Sequence, residues 1–133
     1  MKIKKYASLF HDGSIFSINR SGRDLIISME SAEVDKEDVD SEITLSQDDR
    51  IRGNLHIEGV KKIRENNQRD IPRFEMRQED AEIFRLKVIQ NSVEFQLKWG
   101  TFPPEPLTED FSTVLIEAEK IWWENIPELE SQF

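Results

Sequence analysis

The chain has no cysteine and only two histidines in 133 residues. The first absence removes disulfide frameworks, thiolate zinc sites and cysteine nucleophiles, and the second leaves few ways to assemble an imidazole centre. Long apolar runs are missing as well, since no stretch approaches the roughly 18 apolar residues of a membrane span. Met1-Lys2-Ile3-Lys4-Lys5-Tyr6 is basic like the first region of a signal peptide, but His11-Asp12-Gly13 interrupts before an apolar segment develops, so a cytoplasmic location is expected. Positive charge is scarce too. Eighteen Lys and Arg face 27 Asp and Glu, a formal charge of -9 that repels phosphate backbones and anionic lipid. Neither nucleic acid nor a membrane is therefore an expected partner, whereas a basic protein is. No GxSxG, GxGxxG, phosphate-loop or HExxH pattern occurs, and no cofactor is implied.

What is present is apolar patterning in strand-like runs, in a length suited to a single domain over residues 1–133. Ile15, Phe16 and Ile18 lead into Asn19-Arg20-Ser21-Gly22-Arg23, after which Leu25, Ile27 and Met29 alternate with polar positions. This predicts a hairpin with Gly22 supplying a positive φ. The acidic stretch Asp35 to Asp49 reads as a solvated connection with a short edge strand at Ile43 and Leu45. Ile51, Leu55 and Ile57 share one strand face and His56 and Glu58 the other, with a bulge or a close backbone approach expected at Gly59. Arg64 to Asp80 reads as a long loop whose Ile71, Phe74 and Met76 cap the core. Phe84, Leu86 and Val88, then Val93, Phe95, Leu97 and Trp99, alternate around Gln90-Asn91-Ser92 as a second hairpin, ended by Gly100 and the run Phe102-Pro103-Pro104-Glu105-Pro106.

The last segment carries two signals. Phe111, Val114, Leu115, Ala118, Ile121 and Trp122 have helical spacing, with Thr108 a candidate cap, and would make a C-terminal helix over residues 108–126. Thr113, Val114, Ile116 and Ile121 are β-branched and favour a strand, as does a recurring theme of apolar residue, glutamate and small residue: Met29-Glu30-Ser31, Ile57-Glu58-Gly59 and Ile116-Glu117-Ala118. Strand is the preferred reading. The expected fold is mainly β, an antiparallel sandwich or strongly curved sheet, with the C-terminal helix as the alternative.

Phe10-His11-Asp12-Gly13-Ser14-Ile15 with the hairpin that follows, together with the closing Ile121-Trp122-Trp123-Glu124-Asn125-Ile126-Pro127, resembles small uncharacterised bacterial β-rich proteins, some grouped with immunity proteins of toxin systems. The resemblance implies an antiparallel β fold and a protein-binding role, and brings no catalytic motif with it.

The candidate site residues follow from these patterns. Glu30, Glu58 and Glu117 are expected to point away from the core on neighbouring strands, where like charges need relief from Lys62, Lys98 and Lys120 or from a basic partner. His11-Asp12 and the same-face pair His56 and Glu58 would serve a small metal-dependent or acid/base enzyme if the two segments met. The plainer reading makes Asp12 a turn residue and His56 a half-exposed strand residue, with no metal. The stretch Asp35 to Asp40 lacks the glycine and final glutamate of a calcium loop. Of Trp122 and Trp123, one is expected in the core and the other outward. The sequence thus favours a non-enzymatic acidic binding domain, in narrower form an immunity-type inhibitor of a basic partner. The alternatives are the enzyme above and a self-associating subunit using Trp122 or a sheet edge.

Overall fold

The computed structural model describes residues 2–78, 80–100 and 110–130. Its strands are β1 (Gly13–Ser21), β2 (Asp24–Glu33), β3 (Arg50–Glu65), β4 (Arg69–Asp70), β5 (Asp80–Ile89), β6 (Ser92–Gly100) and β7 (Asp110–Asn125). Every pairing is antiparallel, in the order β2-β1-β5-β6-β7-β3-β4. Because β2 also pairs with β3, six of the strands form a closed ring and β4 hangs from the end of β3. The strongly curved sheet expected from the sequence is thus curved to closure. A barrel this narrow holds no channel, and its interior is filled by the inward residues of each strand. Trp99, Trp123, Phe95, Ile15, Met29 and Leu55 are among those fully buried.

Closure depends on local breaks in the ladder. Pairing registers slip between Ile15 and Ser17 on β1, between Val60 and Lys62 on β3, and between Ile83 and Arg85 on β5. Such bulges raise strand twist and bend a sheet toward its neighbour. Gly22 in the β1–β2 turn has φ +61° and Gly59 at the β3 bulge has φ +65°, as both positions require.

The helix alternative for residues 108–126 is corrected: Asp110–Asn125 is strand β7, hydrogen-bonded to β6 on one side and β3 on the other. The candidate cap Thr108 and the proline run after Gly100 lie outside the described residues. The edge strand expected at Ile43 and Leu45 does not form, and Ile43 is instead buried from an irregular connection. Part of the loop expected over Arg64 to Asp80 is strand, since β3 runs on to Glu65 and turns through Asn66 and Asn67, both at φ 56°, into β4. Phe74 caps the core as expected, with ring centroids 5.9 Å from Phe95 and 6.3 Å from Trp99.

An N-terminal 3-10 helix, Lys4–Phe10, buries Tyr6, Ala7 and Phe10 against one barrel end, where Phe10 meets the edge of Trp123 at 5.6 Å. The acidic connection is tied to this end. Lys5 pairs with Asp40, and the Tyr6 hydroxyl donates to Glu42 at 2.6 Å. Burial and that carboxylate push the Tyr6 phenol up, while the Lys5 ammonium holds Asp40 below the usual carboxylate range.

Asp48 is held low as well, by the Ser46 hydroxyl that donates to it and by Arg52 and Arg50 beside it. A carboxyl whose pKa is lower folded than unfolded contributes stability above its unfolded pKa, and that contribution is lost as pH falls through the folded value. Asp48→Asn is therefore expected to lose less stability than the wild type between neutral pH and about pH 3, read by urea unfolding at each pH. The comparison between variants is needed because burial, with Glu82 and Glu30 nearby, pushes Asp80 up, which acts with the opposite sign. Equal acid sensitivity in both proteins would contradict the assignment.

Candidate functional site

Strands β2, β3 and β7 lie side by side, so their outward residues form rows across one wall. One row reads Ile26, His56, Trp122, and the next Ser28, Asn54, Glu124. The His56 and Trp122 rings stack with centroids 4.0 Å apart and planes 6° from parallel. A glutamate holds each ring: His56 Nε2 donates to Glu124 Oε1 at 2.8 Å, and Trp122 Nε1 donates to Glu58. The stack is thus clamped from both sides in one orientation. Trp123 points the other way and is 1% exposed, which realises the expected split of the tryptophan pair.

The repeated glutamates do face outward while Met29, Ile57 and Ile116 are buried, but they do not sit together. Glu30 receives Arg52 Nη2 at 2.6 Å and Nε at 2.9 Å. Glu58 stands opposite Lys120, and Glu117 opposite Lys62. From Arg52 to Lys62 is on the order of 30 Å of strand, so the three carboxylates are spread along the wall, and among the described residues Glu30 is the one of them that forms an ion pair. Lys98 instead lies over the Phe111 ring at 6.0 Å.

The two histidines are not brought together. His11 Nδ1 donates to the Phe84 carbonyl on β5, and Asp12, at φ 66°, donates its N–H to Ile83 at 2.8 Å as a turn residue. In the ring, β5 and β3 lie on opposite walls, so His11-Asp12 and His56 with Glu58 share no site. Among the described residues no group of three or more His, Cys, Asp or Glu is placed to hold a metal.

The sequence reading missed a second feature. Near the β1–β2 turn a cavity of about 230 Å³ is lined by Arg20, Arg23, Lys61, Lys62 and Arg73 around an apolar floor. The available signal was a local basic bias, Arg20 and Arg23 around Gly22 and Lys61 and Lys62 after Gly59, in a chain of net charge -9.

No protein-family model, curated protein or solved structure matches this chain. Among the described residues no helix is long and apolar enough to cross a membrane.

Proposed function

We propose that this chain is a non-enzymatic binding barrel that docks a basic protein on the outer wall of β2, β3 and β7, with Trp122 as the anchor. The carrying observation is the stacked His56–Trp122 pair clamped between Glu124 and Glu58. A tryptophan held in one orientation before binding loses little entropy on association, and tryptophan dominates interface energetics out of proportion to its frequency. Each clamping carboxylate uses one oxygen on the stack and keeps acceptor capacity for an arginine or lysine of the partner. On the part of this wall around the stack, residues 24–30, 52–58 and 120–125, Asp24, Glu30, Glu58 and Glu124 outnumber Arg52 and Lys120, which suits a basic partner and an association weakened by salt. An immunity-type inhibitor is the narrower form of this proposal. The pairing of β2 with β3 covers the edges of those two strands, whereas the β1–β5 seam pairs only Gly13, Ser14 and Ile15 with Ile83, Glu82 and Ala81 and leaves the rest of both strands for the self-association alternative.

The test is affinity capture from native cell extract on wild-type protein, Trp122→Ala and the pair Glu58→Gln with Glu124→Gln, at low and high salt. The expected result is one basic protein retained by wild type at low salt, with binding weakened about 10- to 30-fold by Trp122→Ala. Retention unchanged by these substitutions, or an acidic protein as the retained species, would refute the docking surface.

A further inference from the structure

The cavity at the β1–β2 end is built by two backbone irregularities locked to each other. The tight turn at Gly22 presents Arg23, and the bulge after Gly59 breaks the β3–β7 ladder at Lys61 and turns that side chain out of the pairing. The Val60 N–H donates to the Arg23 carbonyl at 2.7 Å, which holds turn and bulge together at one mouth. Arg20 joins them, its Nε anchored on the Gly22 carbonyl at 2.8 Å with the terminal guanidinium nitrogens left over. The floor is apolar: Leu25, Ile63 and Phe74 are buried beneath the mouth, and Val60 and Ile71 form its sides.

The charge at this mouth is only partly compensated, with the Glu119 carboxylate lying against Gly59 on the β7 side. Lys62 has Asp70 at 3.8 Å, Arg73 has Glu75 at 3.5 Å, and Asp24 is engaged by the Gly59 N–H at 2.9 Å. Among the described residues no carboxylate forms an ion pair with Arg20, Arg23 or Lys61. The acidic connection lies beyond the far end of β2, roughly 30 Å along the strand, several times the screening length of about 8 Å at physiological salt. A chain of net charge -9 thus keeps a locally positive, partly apolar pocket.

We propose that this pocket binds a small organic anion with a doubly charged head and an apolar body about one ring in size. Three unpaired cations exceed what one carboxylate neutralises, and paired guanidinium groups suit the oxygens of a phosphate or of two carboxylates. A cavity of about 230 Å³ falls below the roughly 300–1,000 Å³ of drug-sized sites, which limits the body that the floor can cover.

The test is titration of isotopically labelled full-length protein with phenyl phosphate, phthalate and inorganic phosphate, followed by amide chemical shifts. Phenyl phosphate or phthalate, or both, is expected to give saturable shifts at Arg23, Leu25, Val60 to Ile63, Ile71, Arg73 and Phe74. Whichever of the two binds identifies the head as phosphate or dicarboxylate. Inorganic phosphate, lacking the body, is expected to bind about tenfold more weakly, and Arg23→Ala with Lys61→Ala to lower affinity about tenfold. Both residues are exposed, so an unchanged melting temperature checks the fold, and loss of binding in high salt is an independent readout. No saturation with either aromatic dianion, binding that survives the double substitution, or inorganic phosphate binding as tightly as phenyl phosphate would overturn the proposal.

Discussion

Gly53→Ala is expected to destabilise the barrel by about 3 kcal/mol or more, in the range of severe overpacking. Gly53 lies in β3 between β2 and β7, opposite Met29 and Asn125. A methyl group there would meet the Glu124 carbonyl oxygen at 2.1 Å, the Ile126 nitrogen at 2.9 Å and the Trp123 ring at 3.0 Å. The first two are backbone atoms, so no rotamer change relieves the contact. Relief requires β7 to move away from β3 just where the Ile126 N–H donates to the Arg52 carbonyl at 2.8 Å and where Trp123 meets Phe10. The same displacement would carry Glu124 off His56, so partner binding should fall together with stability. Gly100→Ala is the control, because among the described residues nothing lies within 4 Å of its added carbon, and it should change stability by no more than about 0.5 kcal/mol. Denaturant unfolding with an unchanged m-value separates the two outcomes. A Gly53→Ala protein as stable as the control would mean that β3 and β7 do not approach this closely.

The strands were legible where one face is fully buried. In β6, Val93, Phe95, Leu97 and Trp99 alternate without interruption because each fills the barrel and each intervening residue does not. The ambiguity of β7 has a definite cause. Val114, Ile116 and Ala118 point inward, then the phase slips at Glu119, and Ile121 and Trp123 take over the inward positions. That extra residue turns a spacing of two into a spacing of three and imitates helical periodicity. Only strand pairing on both sides removes the imitation, and pairing is not a local property. Closure of the ring was illegible for a related reason. The β1–β5 seam rests on three residue pairs, Gly13 with Ile83, Ser14 with Glu82 and Ile15 with Ala81, which are far apart in sequence. The N-terminal 3-10 helix escaped notice because it opens on Lys4 and Lys5, and seven residues at about three per turn carry too few apolar positions to show a period. At the site, the individual residues His56, Glu58 and Trp122 were legible, but their convergence was not. It depends on the β3–β7 register, which places His56 opposite Trp122, and on Glu124, which no pattern marked. The basic pocket was hidden because turn and bulge residues obey no hydrophobic period.

Arg77→Ala is expected to cost about 2–3 kcal/mol, far more than an arginine on an exposed surface. Its guanidinium donates to Glu65, which is only 5% exposed at the inward-facing end of β3, and it also lies over the Trp99 ring at 5.6 Å. Removing it leaves a buried carboxylate with the outlying Arg69 at 3.6 Å as its remaining cation. The cost is therefore that of an uncompensated charge, moderated because Arg77 itself is about one-third exposed. Removing the other partner is not equivalent. Glu65→Leu leaves Arg77 with Asp110 at 3.5 Å, the Trp99 ring and access to water, so it should cost less than about 1.5 kcal/mol. The double variant should then be more stable than Arg77→Ala alone, an interaction energy of about 1 kcal/mol or more in a double-mutant cycle. If Glu65→Leu costs as much as Arg77→Ala and the two losses simply add, the pair does not act as a unit and the guanidinium serves only as cover for Trp99. The asymmetry would instead mark the charged plug Arg77–Glu65 as a determinant of where β3 stops, because a carboxylate at the last inward position tolerates burial only while segment 71–78 delivers its cation.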